Sequence, residues 1–142
     1  MAIASDHAGY KLKEELIRAF PEHEFLDFGA DSESSMDYPD SGFPAAQAVA
    51  EGECEFGILI CGSGIGMSIT ANKVPGIRAA LCSITDVARL SRMHNNANVL
   101  VLAGRFTATA YAIEIVKAWL ETPFDGGRHL NRINKIHQGE RK

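Results

Sequence analysis

A chain of 142 residues with 46% hydrophobic and 23% charged residues has the size and composition of one folded domain, residues 1–142 read as a single unit. A formal net charge of -4 gives no electrostatic support to broad nucleic-acid binding, and apolar runs such as Val99 to Ala103 are too short to cross a bilayer. Charge and hydropathy thus predict neither nucleic-acid nor membrane partners, and three cysteines in no metal-like spacing, with no recognisable leader, predict free thiols in a reducing cytoplasm.

Met1 to Ser5 reads as a short strand. Lys11 to Phe20 sets Leu12, Leu16, Ile17 and Phe20 at helical spacing, and Pro21 stops that helix. Asp6 and His7 therefore fall at the C-terminal end of the first strand, where open parallel sheets hold their ligands; the plainer alternative is that Asp6 caps the helix and His7 bonds locally. Glu24 to Gly29 suggests a second strand. Ala30 to Gly42, rich in Ser, Asp and Gly, reads as a long surface loop, with Pro44 in the first turn of the next helix. From that loop Tyr38 either looks down on a ligand or plugs a gap with its hydroxyl in water.

Ile58 to Cys61 is an unbroken apolar run, as in a strand buried on both faces, and Gly62, Gly64 and Gly66 follow before a helix from about Met67 to Lys73. Their spacing fits neither the dinucleotide fingerprint nor a P-loop. Either they make only a strand-to-helix turn, or they let backbone amides converge where a phosphate or an enolate oxygen is stabilised. Cys61 at the mouth of this turn tilts the balance, since a thiol near helix-start amides ionises more readily and can serve as base or nucleophile. A phosphatase-like loop is disfavoured because Gly62 to Met67 contains no arginine.

Ile77 to Cys82 is a fourth strand, a helix through Asp86, Val87 and Leu90 follows, and Val99 to Ala103 is a fifth strand. Ser91 to Asn98 is polar and helix-breaking at its end, which puts His94 in a polar turn and leaves Asn95 either to orient a hydroxyl or to end the helix. Arg105 follows the fifth strand, Ala108 to Leu120 is helical, and Phe124 to His129 reads as a turn. The basic tail, Leu130 to Lys142, has too few apolar positions to finish a core and suits a partner subunit. Arg128 and Arg132, four apart, share a helix face that either takes a dianionic phosphate or is simply solvated. Five strand-like segments alternating with helices through short connections predict a three-layer α/β/α fold around a five-stranded parallel sheet.

Asp6-His7-Ala8-Gly9, Asp37-Tyr38-Pro39, Ile60 to Gly66, Ala71-Asn72-Lys73, Gly76 to Ala79, Leu90-Ser91-Arg92 with His94-Asn95, Asn98-Val99-Leu100 and Gly126-Gly127-Arg128-His129 occur in order. Together they closely resemble the family of type B ribose-5-phosphate isomerases and galactose-6-phosphate isomerase subunits, over almost the whole chain. The resemblance implies a Rossmann-like domain without a nucleotide, assembled as a homodimer, or a dimer of dimers, with active sites at the subunit interface. It implies interconversion of ribose 5-phosphate and ribulose 5-phosphate through an enediolate, with a sugar phosphate as the small-molecule partner and neither metal nor other cofactor.

By resemblance, Cys61 is the base that moves the proton between C2 and C1, and His94 assists opening of the furanose ring, with Asp6 near the ring. The nest of Gly62, Ser63, Gly64, Ile65 and Gly66 holds the enediolate oxygen; Ser63 stands where many relatives have threonine and keeps the hydroxyl. His7, Arg105, Arg128 and Arg132 match the phosphate-contacting set, and Tyr38 and Asn95 match positions that line the sugar. Cys61 and His94 in one chain favour a self-sufficient homodimer over the two-subunit galactose-6-phosphate arrangement. A 6-phosphorylated hexose such as allose or galactose 6-phosphate is the alternative substrate, and a non-catalytic phosphate-sensing module is the alternative of another class. Asp6, His7, His94 and His129 show no His-x-x-x-His spacing, and no metal is expected.

Overall fold

The computed structural model describes residues 1–140; Arg141 and Lys142, the end of the basic tail, lie outside the described residues. Among the described residues five strands, β1 (Ala2–Ser5), β2 (Leu26–Asp27), β3 (Gly57–Cys61), β4 (Ala79–Leu81) and β5 (Val99–Ala103), stand in the order β2-β1-β3-β5-β4. Every pairing is parallel, with Ser5 opposite Ile60 and Cys61 opposite Ala103. Among the described residues six α-helices, α1 (Tyr10–Ala19), α2 (Pro39–Ala50), α3 (Ile65–Asn72), α4 (Thr85–Asn95), α5 (Thr109–Glu121) and α6 (Arg128–Gly139), complete the three-layer fold.

Because β1, β3 and β5 are buried along their whole length, their alternating side chains feed two separate cores. Ala4, Leu59 and Val101 pack with Ala45, Val49 and Met67 beneath α2 and α3. Ile3, Ile58, Ile60 and Leu102 pack with Leu12, Leu16, Ala88 and Trp119 beneath α1, α4 and α5. The crossover helices run opposite to the strands. Strand ends at Ser5, Cys61, Leu81 and Ala103 thus form one edge of the sheet, the upper edge, while α4 descends to the lower edge, where β5 begins.

Several boundaries differ from the sequence reading. The edge strands β2 and β4 are shorter than Glu24 to Gly29 and Ile77 to Cys82, each having a neighbour on one side only. Helix α2 starts at Pro39, with Pro44 inside it, so the surface loop is shorter than expected. Pro39 takes the first-turn position where a missing N–H costs nothing, and Gly42 lets α2 approach Met67, whose Sδ would stand 2.7 Å from a Cβ at residue 42.

Helix α3 starts at Ile65, two residues earlier than predicted. His94 lies in the last turn of α4 and not in a polar turn beyond it. That helix ends at Asn96, which adopts φ 45° and donates its N–H to the Arg92 carbonyl at 3.1 Å, while the Ala97 N–H reaches the Ser91 carbonyl at 3.0 Å. Residues Arg128 and His129, expected in a turn, already belong to α6.

Candidate active site

Strand order reverses between β1 and β3, and the carboxyl ends of such neighbours diverge to leave a crevice. A cavity of about 440 Å³ opens there, lined by Asp6, His7, Ala8, Tyr38, Cys61, Gly62, Ser63, Gly66, Arg105 and Phe106. Most of the predicted residues in this group come from a strand end or the turn after it; Tyr38 comes from the N-terminus of α2 and Gly66 from the first turn of α3. Asp6, following β1, accepts hydrogen bonds at Oδ1 from the Ala8 N–H at 3.0 Å and the Gly9 N–H at 3.1 Å. The capping and ligand-facing readings of Asp6 are therefore compatible: one oxygen caps and the residue still lines the cavity. His7 accepts the Met36 N–H at Nδ1, 3.2 Å away, so a neutral ring carries its proton on Nε2.

Cys61 ends β3, only 3% exposed, and the chain then turns through the glycine nest. Gly64 sits at φ 79° as the N-cap of α3, a left-handed conformation that a side chain would strain. Ser63 Oγ accepts the Ile65 N–H at 3.2 Å, closing the turn. Gly66 serves a different purpose. A Cβ there would meet Tyr38 Cζ at 2.6 Å, so the missing side chain is what lets the Tyr38 ring lie on the first turn of α3. Arg105 crosses Gly62, its guanidinium carbon 3.3 Å from where a Cβ would be. Ile65, at the start of α3, is 57% exposed.

The remaining predicted residues are elsewhere. His94 and Asn95 close α4, and Arg128 and Arg132 lie on α6, beside the lower edge of the sheet. The length of β3 and β5, five residues each, puts roughly 16 Å between the two edges. Among these lower-edge groups the order is considerable. The His94 and His129 rings stack with centroids 4.3 Å apart at 13°. Burial holds the His129 imidazole below its ordinary pKa, assisted by His94, Arg128 and Arg132 and opposed by Asp125. Asn95 lines a second cavity, about 260 Å³, with Asn72, Ile77, Arg78 and Ile136.

Two arginines hold this end of α4. Arg92 lies 4.8 Å from the Phe56 ring centroid and 5.4 Å from that of Trp119, and donates to Asn96 Oδ1 at 3.0 Å and to the Ala97 carbonyl. Arg78 donates through Nε to the carbonyls of Asn95 and Asn96, both at 3.1 Å. Its Nη1 meets His137 Nε2 at 2.9 Å, and His137 Nδ1 meets Glu140 Oε2 at 3.1 Å. Both Glu140 oxygens accept the Gly76 N–H, so α6 is tied to the lower edge at its far end as well. The bond to His137, together with the Gly76 N–H and Arg78, keeps the Glu140 carboxyl below its ordinary pKa.

Sequence reasoning missed Phe106, 80% exposed at the rim of the upper cavity, and the Arg78–His137–Glu140 chain. Phe106 offers no signal beyond its position after β5. The chain of three depends on contacts between residues roughly 60 apart in sequence, which periodicity cannot report.

A family model for ribose/galactose isomerases matches residues 1–136. Ribose-5-phosphate isomerase B of Escherichia coli is 45% identical over 138 residues, covering 96% of this chain and 93% of that protein. The structure of ribose-5-phosphate isomerase B from Clostridium thermocellum superposes with a TM-score of 0.96 at 50% identity, over 98% of this chain and 95% of that one. The Mycoplasma genitalium enzyme, solved with bound ribulose-5-phosphate, superposes with a TM-score of 0.94 at 41% identity, over 99% and 95% of the two chains.

Proposed function

The chain belongs to the ribose/galactose isomerase family, and we propose that it works as a homodimer interconverting ribose 5-phosphate and ribulose 5-phosphate. Each site would combine the upper edge of one copy with the lower edge of the other. The observation that carries this reading is the split of the candidate residues: Asp6, His7, Tyr38, Cys61, Ser63 and Arg105 surround one cavity, while His94, Asn95, Arg128 and Arg132 lie about a strand's length away. A five-carbon sugar phosphate is too short to touch both groups within one chain. A second copy offers the missing half.

Exposed apolar side chains around the β4 edge support such a partner. Ile65 and Ile69 of α3 are 57% and 56% exposed, Leu90 of α4 is 45% exposed, and Leu130 and Ile136 of α6 are each 51% exposed. The ribulose-5-phosphate held by the Mycoplasma genitalium relative supports a pentose substrate over a hexose.

In the proposed reaction, His94 from one copy assists opening of the furanose ring. Cys61 of the other removes the proton from C2, which leaves the charge on the enediolate oxygen at C1; the hydroxyl proton of O2 passes to O1, and Cys61 returns its proton to C1 as the C2 carbonyl forms. Backbone amides of the turn from Gly62 to Gly66 favour that oxygen over the neutral carbonyl, so they stabilise the transition state selectively. His7, with its proton on Nε2, joins Arg105 and the arginines of the other copy around the phosphate. Anchoring the phosphate holds C1 and C2 against Cys61 and lowers the entropic part of the barrier.

Solvent deuterium incorporation into ribose 5-phosphate, measured with ketose formation for the parent and Cys61→Ala in parallel, tests the proposal. Exchange and ketose from the parent alone are expected. Equal exchange by a folded Cys61→Ala protein would remove the cysteine from the mechanism, and no exchange by the parent would remove the pentose substrate.

A further inference from the structure

We propose that His94, Asp125 and His129 form a binding site for a borderline divalent cation such as Zn²⁺, and that its occupation inhibits turnover by withdrawing His94. One ligand atom from each residue lies within 4.8 Å of the other two. Two imidazole nitrogens and one carboxylate oxygen suit zinc or cobalt, with a coordination position left for water; magnesium and calcium prefer all-oxygen sites.

The three side chains come from segments already fixed to one another. His94 is in the last turn of α4, and the Asp125 N–H donates to the Met93 carbonyl at 3.1 Å, holding the loop before α6 against that turn. The His129 N–H donates to the Gly126 carbonyl at 3.2 Å, closing the loop onto the start of α6. Only the side chains have to adjust. Ligand atoms around a tetrahedral zinc with bonds of about 2.0–2.2 Å stand roughly 3.4 Å apart, so the set must contract by an ångström or so. Nearly parallel rings point their lone pairs in parallel, so one ring must tilt; the exposed Asp125 carboxylate swings in with least resistance.

Charge sets which ligand matters most. Arg128 and Arg132, on the same helix as His129, repel a dication, and Asp125 is the group that offsets them. The carboxylate is thereby the residue on which affinity should depend most. This site stands on geometry alone, whereas its effect on turnover rests on the role proposed above for His94.

Metal-stripped protein titrated with Co²⁺ provides the test, because a tetrahedral nitrogen–oxygen site gives intense visible d–d bands and a thiolate ligand adds a charge-transfer band in the near ultraviolet. One Co²⁺ per chain is expected, with d–d bands, no thiolate band and displacement by Zn²⁺. Asp125→Asn should weaken binding about tenfold or more while keeping basal isomerisation. Zn²⁺ should inhibit the parent, reversibly with a chelator, and inhibition of Asp125→Asn should shift by the same factor. Absence of the bands, a thiolate band assigning the metal to a cysteine, or equal affinity in Asp125→Asn would overturn the site. Binding to the parent without inhibition would uphold the site and count against ring opening by His94.

Discussion

A heterodimer carrying one Cys61→Ala chain and one His94→Ala chain separates assembly across subunits from assembly within one. If each site takes Cys61 from one copy and His94 from the other, one of the two sites in this heterodimer has lost both groups and the other has lost neither. Its turnover should be about half that of the parent dimer. Each parental homodimer lacks one group in both sites and should fall by about a hundredfold or more, as expected for removing a general acid or base. The contrast is steep because the edges of the sheet stand roughly 16 Å apart, too far for a side chain to substitute from within its own chain. Coexpression with two different affinity tags and sequential purification isolates the mixed species, and a coupled assay for ketose formation reads its rate. A pure heterodimer no more active than the two homodimers would refute the shared site.

Gly66→Ala brings a Cβ to 2.6 Å from Tyr38 Cζ, so the ring must lift by about an ångström, while alanine favours the helix by up to about 1 kcal/mol. Calorimetry should therefore find the melting temperature equal or higher, and kinetics should find kcat/KM lower by about tenfold or more; an unchanged kcat/KM would remove Tyr38 from the site. Glu140 has its folded-state pKa depressed, chiefly by its bond to His137, so its stabilisation is complete above the unfolded value and is lost as pH falls through the folded one. Glu140→Gln should melt below the parent at neutral pH, with the gap closing once pH drops beneath 4.5; a pH-independent gap would contradict the linkage. Burial pushes the Cys82 thiol up to about 11 despite its Ser91 partner, so native protein treated with iodoacetamide at mildly basic pH should keep Cys82 unmodified by peptide mass spectrometry, and early labelling there would contradict that assignment.

The parts of the fold that were legible are those fixed by local pattern. Ile58 to Cys61 and Val99 to Ala103 are apolar at every position, which only strands covered on both faces require, and these became the centre of the sheet. The glycine turn was legible for the same reason, since Gly64 needs a left-handed φ that few other residues adopt. Helix α2 was misjudged because Pro39 and Pro44 compete for the same first-turn role, and packing of Gly42 against Met67 favours the earlier start. His94 was misjudged because Ser91 to Asn98 is mostly polar and gives no clear helical period. Arg92, lying against two aromatic rings and reaching the carbonyl of Ala97, marks where that helix ends, and its partner Trp119 is remote in sequence. Residue types named the members of the candidate site, but their division between two edges follows from the directions of α4 and α6, which no motif encodes.

Electrostatics gives that division a physical rationale. In the proposed dimer the phosphate is met by Arg105 and His7 from one copy and by Arg128 and Arg132 from the other. Gathering three guanidinium groups within one chain would set like charges against each other before any anion arrived, at a cost of about 1–4 kcal/mol per close pair in a partly exposed site. Keeping Arg105 over the upper turn and the other two on α6 lets each chain fold without setting Arg105 against that pair. In the proposed dimer that part of the repulsion arises only where the copies meet, and a dianionic phosphate would offset it there. Substrate binding would accordingly strengthen assembly as assembly strengthens binding, because the two are linked through one anion. In the proposed site the uncharged end of the sugar, which carries the reacting carbons, is held at Cys61 by an anchor at its other end. Folding of the single chain would then supply the base and the amide nest, while docking of the second copy would supply the imidazole and most of the grip.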